Sequence, residues 1–169
     1  MITKLAISNF KSVRQLEVEC KKVNLFIGEP NTGKSSILEA LGLLSWAAQS
    51  TSTPLAEYVR FQSVQDLFYD QLMDRDIRIA LSGEPTVEIQ VHFEHDGFEL
   101  LSRPQPGRFG RLEYAGQFEG GTNGWLAPVK FFRFNGAVRY DDKGAESLKS
   151  PNGSNLFSVV FASRTRLPS

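Results

Sequence analysis

An α/β domain built around a phosphate-binding loop is the fold class this sequence predicts, on three observations. A short apolar run, Val23 to Ile27, leads into the glycine-bearing loop Gly28 to Ser35. A pattern of helical period follows the loop at once, and from Ile77 the period changes to two. At 169 residues the chain is long enough for one domain with a real core and too short for two of ordinary size.

Taken in order, Ile2, Leu5 and Ile7 fall near strand spacing, Asn9-Phe10-Lys11-Ser12 breaks the run, and Leu16 to Cys20 resumes it. Two short antiparallel strands are expected. Val23 to Ile27 predicts a third strand, apolar at most positions as a strand buried on both faces should be. Ile37, Leu38, Leu41, Leu44 and Ala48 then recur at three- and four-residue intervals, which predicts a helix after Gly33 with those residues on its buried face. It should stop near Gln49, because Ser50 to Thr53 are poor helix formers closed by Pro54. Residues 51–76 read as a short helix and loop.

The alternating sets Ile77-Ile79-Leu81, Val87-Ile89-Val91-Phe93 and Phe98-Leu100 predict an antiparallel meander, with turns at Ser82 to Pro85 and Glu94 to Gly97. Residues 102 to 128 are glycine-rich and read as hairpin tips or a loop. Val129 to Phe134 reads as a further strand, so the antiparallel subdomain is expected over 77–135. Over 136–169 the expectation is a loop and a terminal helix.

Gly28, Glu29, Pro30, Asn31, Thr32, Gly33, Lys34 and Ser35 match G-x-x-x-x-G-K-[ST], with Ser36 next. A chain of this length matches that pattern by chance about once in two hundred times at average composition. The chemistry explains the spacing. Glycines let backbone N–H groups close around an anion, and the N-terminus of the following helix adds a favourable dipole. Lys34 is expected to reach the β- and γ-phosphates of a triphosphate, and the Ser35 hydroxyl to coordinate Mg²⁺.

Composition excludes several other classes. Lys plus Arg and Asp plus Glu are equal at 19 each, so no global field draws the chain to nucleic acid or an anionic membrane. The single cysteine, Cys20, excludes an internal disulfide and fits a reducing, cytoplasmic setting. The longest nearly apolar stretch, Ala40 to Ala48, is about half of the roughly 20 residues a membrane span needs, so no membrane partner is expected. His92 and His95, with one distant cysteine, lack the ligand count of a zinc site and read as ordinary sheet and turn histidines. Arg103, Arg108 and Arg111, with Phe109 and Tyr114 among them, are a candidate DNA-contacting patch; a solvated glycine-rich loop is the favoured reading.

Ile2 to Ser12, I-x-x-L-x-I-S-N-F-K-S, followed by Asn24 to Leu41, N-L-F-I-G-E-P-N-T-G-K-S-S-I-L-E-A-L, resembles the N-terminal half of ABC-type ATPase heads of the SMC, RecF and OLD-like group, P-loop ATPases of AAA type. Phe61 to Phe68 and Leu148 to Val160 are weaker echoes of the same heads. In that group the asparagine directly follows the Gly-x pair, whereas here Pro30 takes its place and Asn31 comes one later. The resemblance implies an ABC-type N-terminal lobe with an antiparallel β subdomain, ATP and Mg²⁺ as ligands, and phosphoryl transfer to water. It implies that Lys11 lies beside the nucleotide, and that Gln62 or Gln65 is a candidate for the glutamine that senses Mg²⁺ and the γ-phosphate.

Other parts of such heads are not found in the sequence. No apolar run ends in Asp-Glu to hold Mg²⁺ through water, and Leu81-Ser82-Gly83-Glu84 leads into a strand pattern rather than opening a helix, so it reads as a hairpin turn and not as a signature motif. The expected partners are therefore a missing C-terminal lobe or a second ATPase head, with DNA reached through the full-length protein. The expected setting is DNA repair, chromosome maintenance or phage defence. A P-loop kinase with the arginine-bearing loop as a phosphate-clamping lid is one alternative, and a nucleotide-binding module that never hydrolyses is another.

Overall fold

The computed structural model describes residues 1–48, 53–84, 86–104, 107–121 and 129–132. Met1–Val129 form one compact unit, and the fold given below is that unit's. Among the described residues it holds seven strands, β1 (Ile2–Phe10), β2 (Val13–Glu19), β3 (Ile77–Gly83), β4 (Val87–Glu94), β5 (Gly97–Arg103), β6 (Gly107–Leu112) and β7 (Phe118–Gly120), and one helix, α1 (Lys34–Ala48). Short 3₁₀ turns occupy Leu55–Glu57, Val64–Leu67 and Tyr69–Gln71.

The strands make a single antiparallel sheet in the order β2-β1-β3-β4-β5-β6-β7. Its register aligns apolar residues in rows, because alternate side chains share a face. Ile7 pairs with Ile79 and Ile79 with Ile89. Leu5 pairs with Leu81, and Ile77 with Val91, which pairs with Leu100. All of these are buried, while Arg78 and His92 on the opposite face are exposed. Helix α1 lies against β1 and β3, and Trp46 Nε1 donates to Thr53 O at 3.0 Å, fixing the chain just beyond the helix.

Two strand expectations do not hold. Val23–Ile27 is not a strand, and Val23, Leu25 and Ile27 are 80%, 79% and 83% exposed. A strand meant to be buried on both faces needs neighbours on both edges, and none of the described residues pairs with this one. The α/β expectation therefore reduces, for the described residues, to an antiparallel sheet with one helix. Val129–Phe132 likewise carries no strand, and residues 133–169, with the expected terminal helix, lie outside the described residues.

The helix is where the pattern placed it, but its buried side differs. Of the expected face only Leu44 is buried, Leu38 being 46% exposed and Ile37, Leu41 and Ala48 partly so. Ser36, Glu39, Ala40, Leu43, Trp46 and Ala47 are buried instead. A helix that is apolar over more than one face can dock by either, and here the small residues Ser36, Ala40 and Ala47 allow close approach to the sheet.

The segment from Val64 to Phe68 is tied to the end of β1. Phe10 bridges to Phe68, the Lys11 N–H donates to Leu67 O at 2.8 Å, and the Phe68 and Phe98 rings lie 5.5 Å apart in the core. Asp66 caps this turn: its Oδ2 accepts the N–H of Ser63 at 2.9 Å and that of Gln62 at 3.0 Å. The Ser63 amide, then that of Gln62, holds the Asp66 carboxyl below the usual carboxylate range. A carboxyl with a folded pKa below its unfolded value adds stability that is complete above about pH 4 and is lost as pH falls through the lowered value. The thermal midpoint is expected to drop below about pH 4, and Asp66→Asn to flatten that drop; an equal slope in the variant would place the acid sensitivity elsewhere.

Candidate functional site

The loop Gly28 to Ser35 leaves the exposed Val23–Ile27 segment and enters α1, which begins at Lys34. Two backbone positions shape it. Asn31 has φ 62° and Gly33 φ 86°, both in the left-handed region, where asparagine is tolerated and glycine is at ease. The loop then closes on the carbonyl of Glu29. Thr32 Oγ1 donates to Glu29 O at 2.8 Å, and Lys34 Nζ donates to Glu29 O and to Thr32 Oγ1, the latter at 3.0 Å. Lys34 is thus folded back over its own loop, with its ammonium facing the ring of backbone.

A side chain at Gly28 would meet that ring: a Cβ there would stand 3.3 Å from Thr32 Oγ1 and 3.8 Å from Lys34 Nζ. The first intrahelical bond runs from Ile37 N–H to Gly33 O at 3.2 Å. The amides of Lys34, Ser35 and Ser36 precede it, as the first N–H groups of any helix do, and no acidic residue stands in this turn to neutralise the dipole. Ser35 is exposed and Ser36 buried. The arrangement suits an anion with several oxygens: donors from the helix end, a cation from Lys34 and a hydroxyl from Ser35.

Gly33→Ala should be costly on two counts. An alanine at φ 86° is strained by about 1–2 kcal/mol, and its Cβ would stand 3.0 Å from Ser12 Oγ. Loss of nucleotide affinity by titration, with the thermal midpoint lowered by about 2–8 °C, is the expected result. Affinity equal to wild type would show that the loop takes its binding shape without this φ.

Around the loop, Lys11 reaches inward rather than toward solvent. Its Nζ pairs with the Glu39 carboxylate and donates to Arg60 O at 2.6 Å, while Arg60 Nε pairs with the other Glu39 oxygen at 2.5 Å. The Glu39 side chain is only 4% exposed. Sequence reasoning missed Glu39, Arg60 and Ser12. The available signal for Glu39 was a lone acid inside an apolar helical pattern, which is costly to bury unless paired. Gln62 is exposed and Gln65 half-buried, both in the turn capped by Asp66.

The remaining candidates resolve as follows. Arg108 pairs with Glu99 at 2.6 Å, and Arg111 pairs with Asp96. Their charge is therefore met locally, which favours neither a cationic DNA patch nor a free phosphate-clamping lid. His92 Nδ1 lies 2.7 Å from Asp76 Oδ1. Burial alone would raise the Asp76 carboxyl, but the His92 contact, with Arg78 and Gln90, holds it below the usual range. His95 is exposed at a turn. Among the described residues no group of three or more His, Cys, Asp or Glu could hold a metal. That does not conflict with Mg²⁺ at a phosphate loop, where the ion keeps waters and takes phosphate oxygens besides one protein hydroxyl; Ser35 fits that demand. Leu81-Ser82-Gly83 ends β3 and leads into the β3–β4 hairpin, as expected. No helix among the described residues is long and apolar enough to cross a membrane.

The family described as an AAA ATPase domain matches residues 1–157. An uncharacterized protein of Methanocaldococcus jannaschii is 28% identical over 108 residues, 58% of this chain and 49% of that protein. The DNA replication and repair protein RecF of Leptospira interrogans is 24% identical over 97 residues, 54% of this chain and 27% of that protein. The chain spans about half the length of the first of these relatives and about a quarter of the second.

Proposed function

The chain belongs to the AAA ATPase domain family, and on that premise we propose that it is the ATP-binding lobe of an ABC-type ATPase head. The match and the similarity to RecF bear out the resemblance to SMC, RecF and OLD-like heads. The observation that carries the reading is the closure of Gly28 to Ser35 around the Lys34 ammonium at the N-terminus of α1. In this lobe the loop amides and Lys34 hold the β- and γ-phosphates of ATP, and the Ser35 hydroxyl would hold Mg²⁺. The bound ion supplies neutralisation of phosphate charge. Lys11, and Gln62 or Gln65, are the further candidates of the same site.

Hydrolysis needs more than this loop. A C-terminal lobe supplies the carboxylates that orient water, and a second head sandwiches the nucleotide. The solvent-facing Val23, Leu25 and Ile27 support this part of the reading, since three large apolar side chains this exposed call for a cover. The division into 1–50, 51–76, 77–135 and 136–169 belongs to the same proposal. So does a role in DNA repair, chromosome maintenance or phage defence, for which the support is that one similar protein is a DNA replication and repair protein.

The test is calorimetric titration of Mg·ATP into the chain, then phosphate release before and after addition of the C-terminal half of a complete head. Binding by the chain alone with turnover only after the addition is the expected result. Turnover by the chain alone at about 1 per second or faster would remove the need for a completing lobe. Absence of any Mg·ATP binding with both parts present would remove the nucleotide reading.

A further inference from the structure

The turn between β1 and β2 reaches the helix that carries the phosphate loop. Ser12 Oγ lies 2.8 Å from Ser36 Oγ, in the first turn of α1. The same oxygen stands 3.0 Å from where a Cβ on Gly33 would be, so it is packed against a glycine of the loop. The turn itself is held from two other sides. The Lys11 N–H donates to Leu67 O at 2.8 Å, and Lys11 Nζ is held by the Glu39 carboxylate and the Arg60 carbonyl. Ser36 and Glu39, three residues apart, share one side of α1, so the turn grips the helix at two points.

We propose that Ser12 is a positioning residue of the phosphate loop: anchored through Lys11, its hydroxyl fixes Ser36 and Gly33 and so aims the amides at the start of α1. This deepens the nucleotide-binding reading and rests on it. Convergent amides bind an anion well only if they are already aimed, since ordering them on binding lowers affinity. Gly33 at φ 86° has no side chain to restrict it, and the Ser12 hydroxyl supplies that restriction from outside the loop. Ser12 is exposed, so the hydroxyl is not needed to fill the core. That separates a positioning role from a stabilising one.

The experiment compares wild type, Ser12→Ala and Ser12→Thr by three readouts: amide hydrogen exchange of Gly33 to Ile37 without nucleotide, Kd for Mg·ATP, and thermal midpoint. Loss of one net hydrogen bond predicts exchange faster by about 2- to 10-fold over those amides in Ser12→Ala, and a Kd raised by a similar factor. The midpoint stays within about 2 °C of wild type, and threonine, which keeps the hydroxyl, restores exchange and affinity. Unchanged exchange in Ser12→Ala overturns the proposal, as does a midpoint that falls in step with exchange. If exchange responds as expected but wild type shows no Lys34-dependent Mg·ATP binding, the nucleotide reading fails and the positioning of the loop stands.

Discussion

Lys34→Ala is expected to weaken Mg·ATP binding by about 10- to 100-fold, measured by calorimetric titration, while the thermal midpoint without nucleotide hardly moves. The size follows from the bonds at stake: a hydrogen bond to a charged group is worth roughly 1.5–3 kcal/mol, and each 1.4 kcal/mol is tenfold in affinity. The asymmetry follows from where Lys34 spends its charge. Its Nζ donates within its own loop, to Glu29 O and Thr32 Oγ1, and makes these bonds on the exposed side of the molecule. Losing them leaves no carbonyl stranded in the core, because water reaches both acceptors. An affinity unchanged by the substitution would mean that nucleotide binds elsewhere or that the helix amides alone hold it. A large fall in midpoint would instead make Lys34 a structural residue of the loop.

Glu39→Ala is expected to behave in the opposite way, with a loss of stability of about 3 kcal/mol or more, read by denaturant unfolding. Glu39 meets two cations, Lys11 and Arg60, from inside the protein. Removing one partner of a buried ion pair typically costs 3–5 kcal/mol, because the other charge is left without compensation. The two cations are not equally affected. Lys11 is 18% exposed at its side chain and loses most, whereas Arg60 is 65% exposed and turns to water. The loss should therefore sit near the low end of that range. Glu39→Gln, which keeps the shape and one acceptor, should recover part of it. A loss under about 1 kcal/mol for Glu39→Ala would show that solvent already screens the cluster.

The antiparallel meander was legible because its alternation is strict and its turns carry Gly, Asp and Glu chemistry at the right places; β3, β4 and β5 fall where Ile77-Leu81, Val87-Phe93 and Phe98-Leu100 put them. The start of α1 was legible for a different reason: the G-x-x-x-x-G-K-S spacing places a helix N-terminus directly after Gly33, and α1 begins at Lys34. What could not be read was everything decided by a partner. The pattern at Val23–Ile27 is that of a strand, yet a strand forms only when another pairs with it, and local sequence does not carry that information. Which face of α1 docks was misjudged for the same reason: Ile37, Leu38 and Leu41 make the more apolar side, but Ala40, Leu43 and Ala47 on the other are the ones buried. Glu39 carried a signal as a lone acid in an apolar helical pattern, but its partners could not be read, because Lys11 and Arg60 lie 28 and 21 residues away in the chain.

The strand order β2-β1-β3 has a kinetic consequence. Leu5 pairs with Leu81, so the loop and α1 are carried inside a long chain excursion that closes only when β3 arrives. The β1–β2 hairpin can form early, because its pairing is local, but its inner edge then waits for residues some 70 positions later. Closing so long a segment carries an entropic cost that local pairing does not, and sheets dominated by such pairings fold slowly. During synthesis the loop leaves the ribosome well before β3 does. The seat of α1 on the sheet is therefore a late product of folding, set when β3 zips onto β1, whereas the loop's own bonds and its contact with the β1–β2 turn join residues closer in the chain.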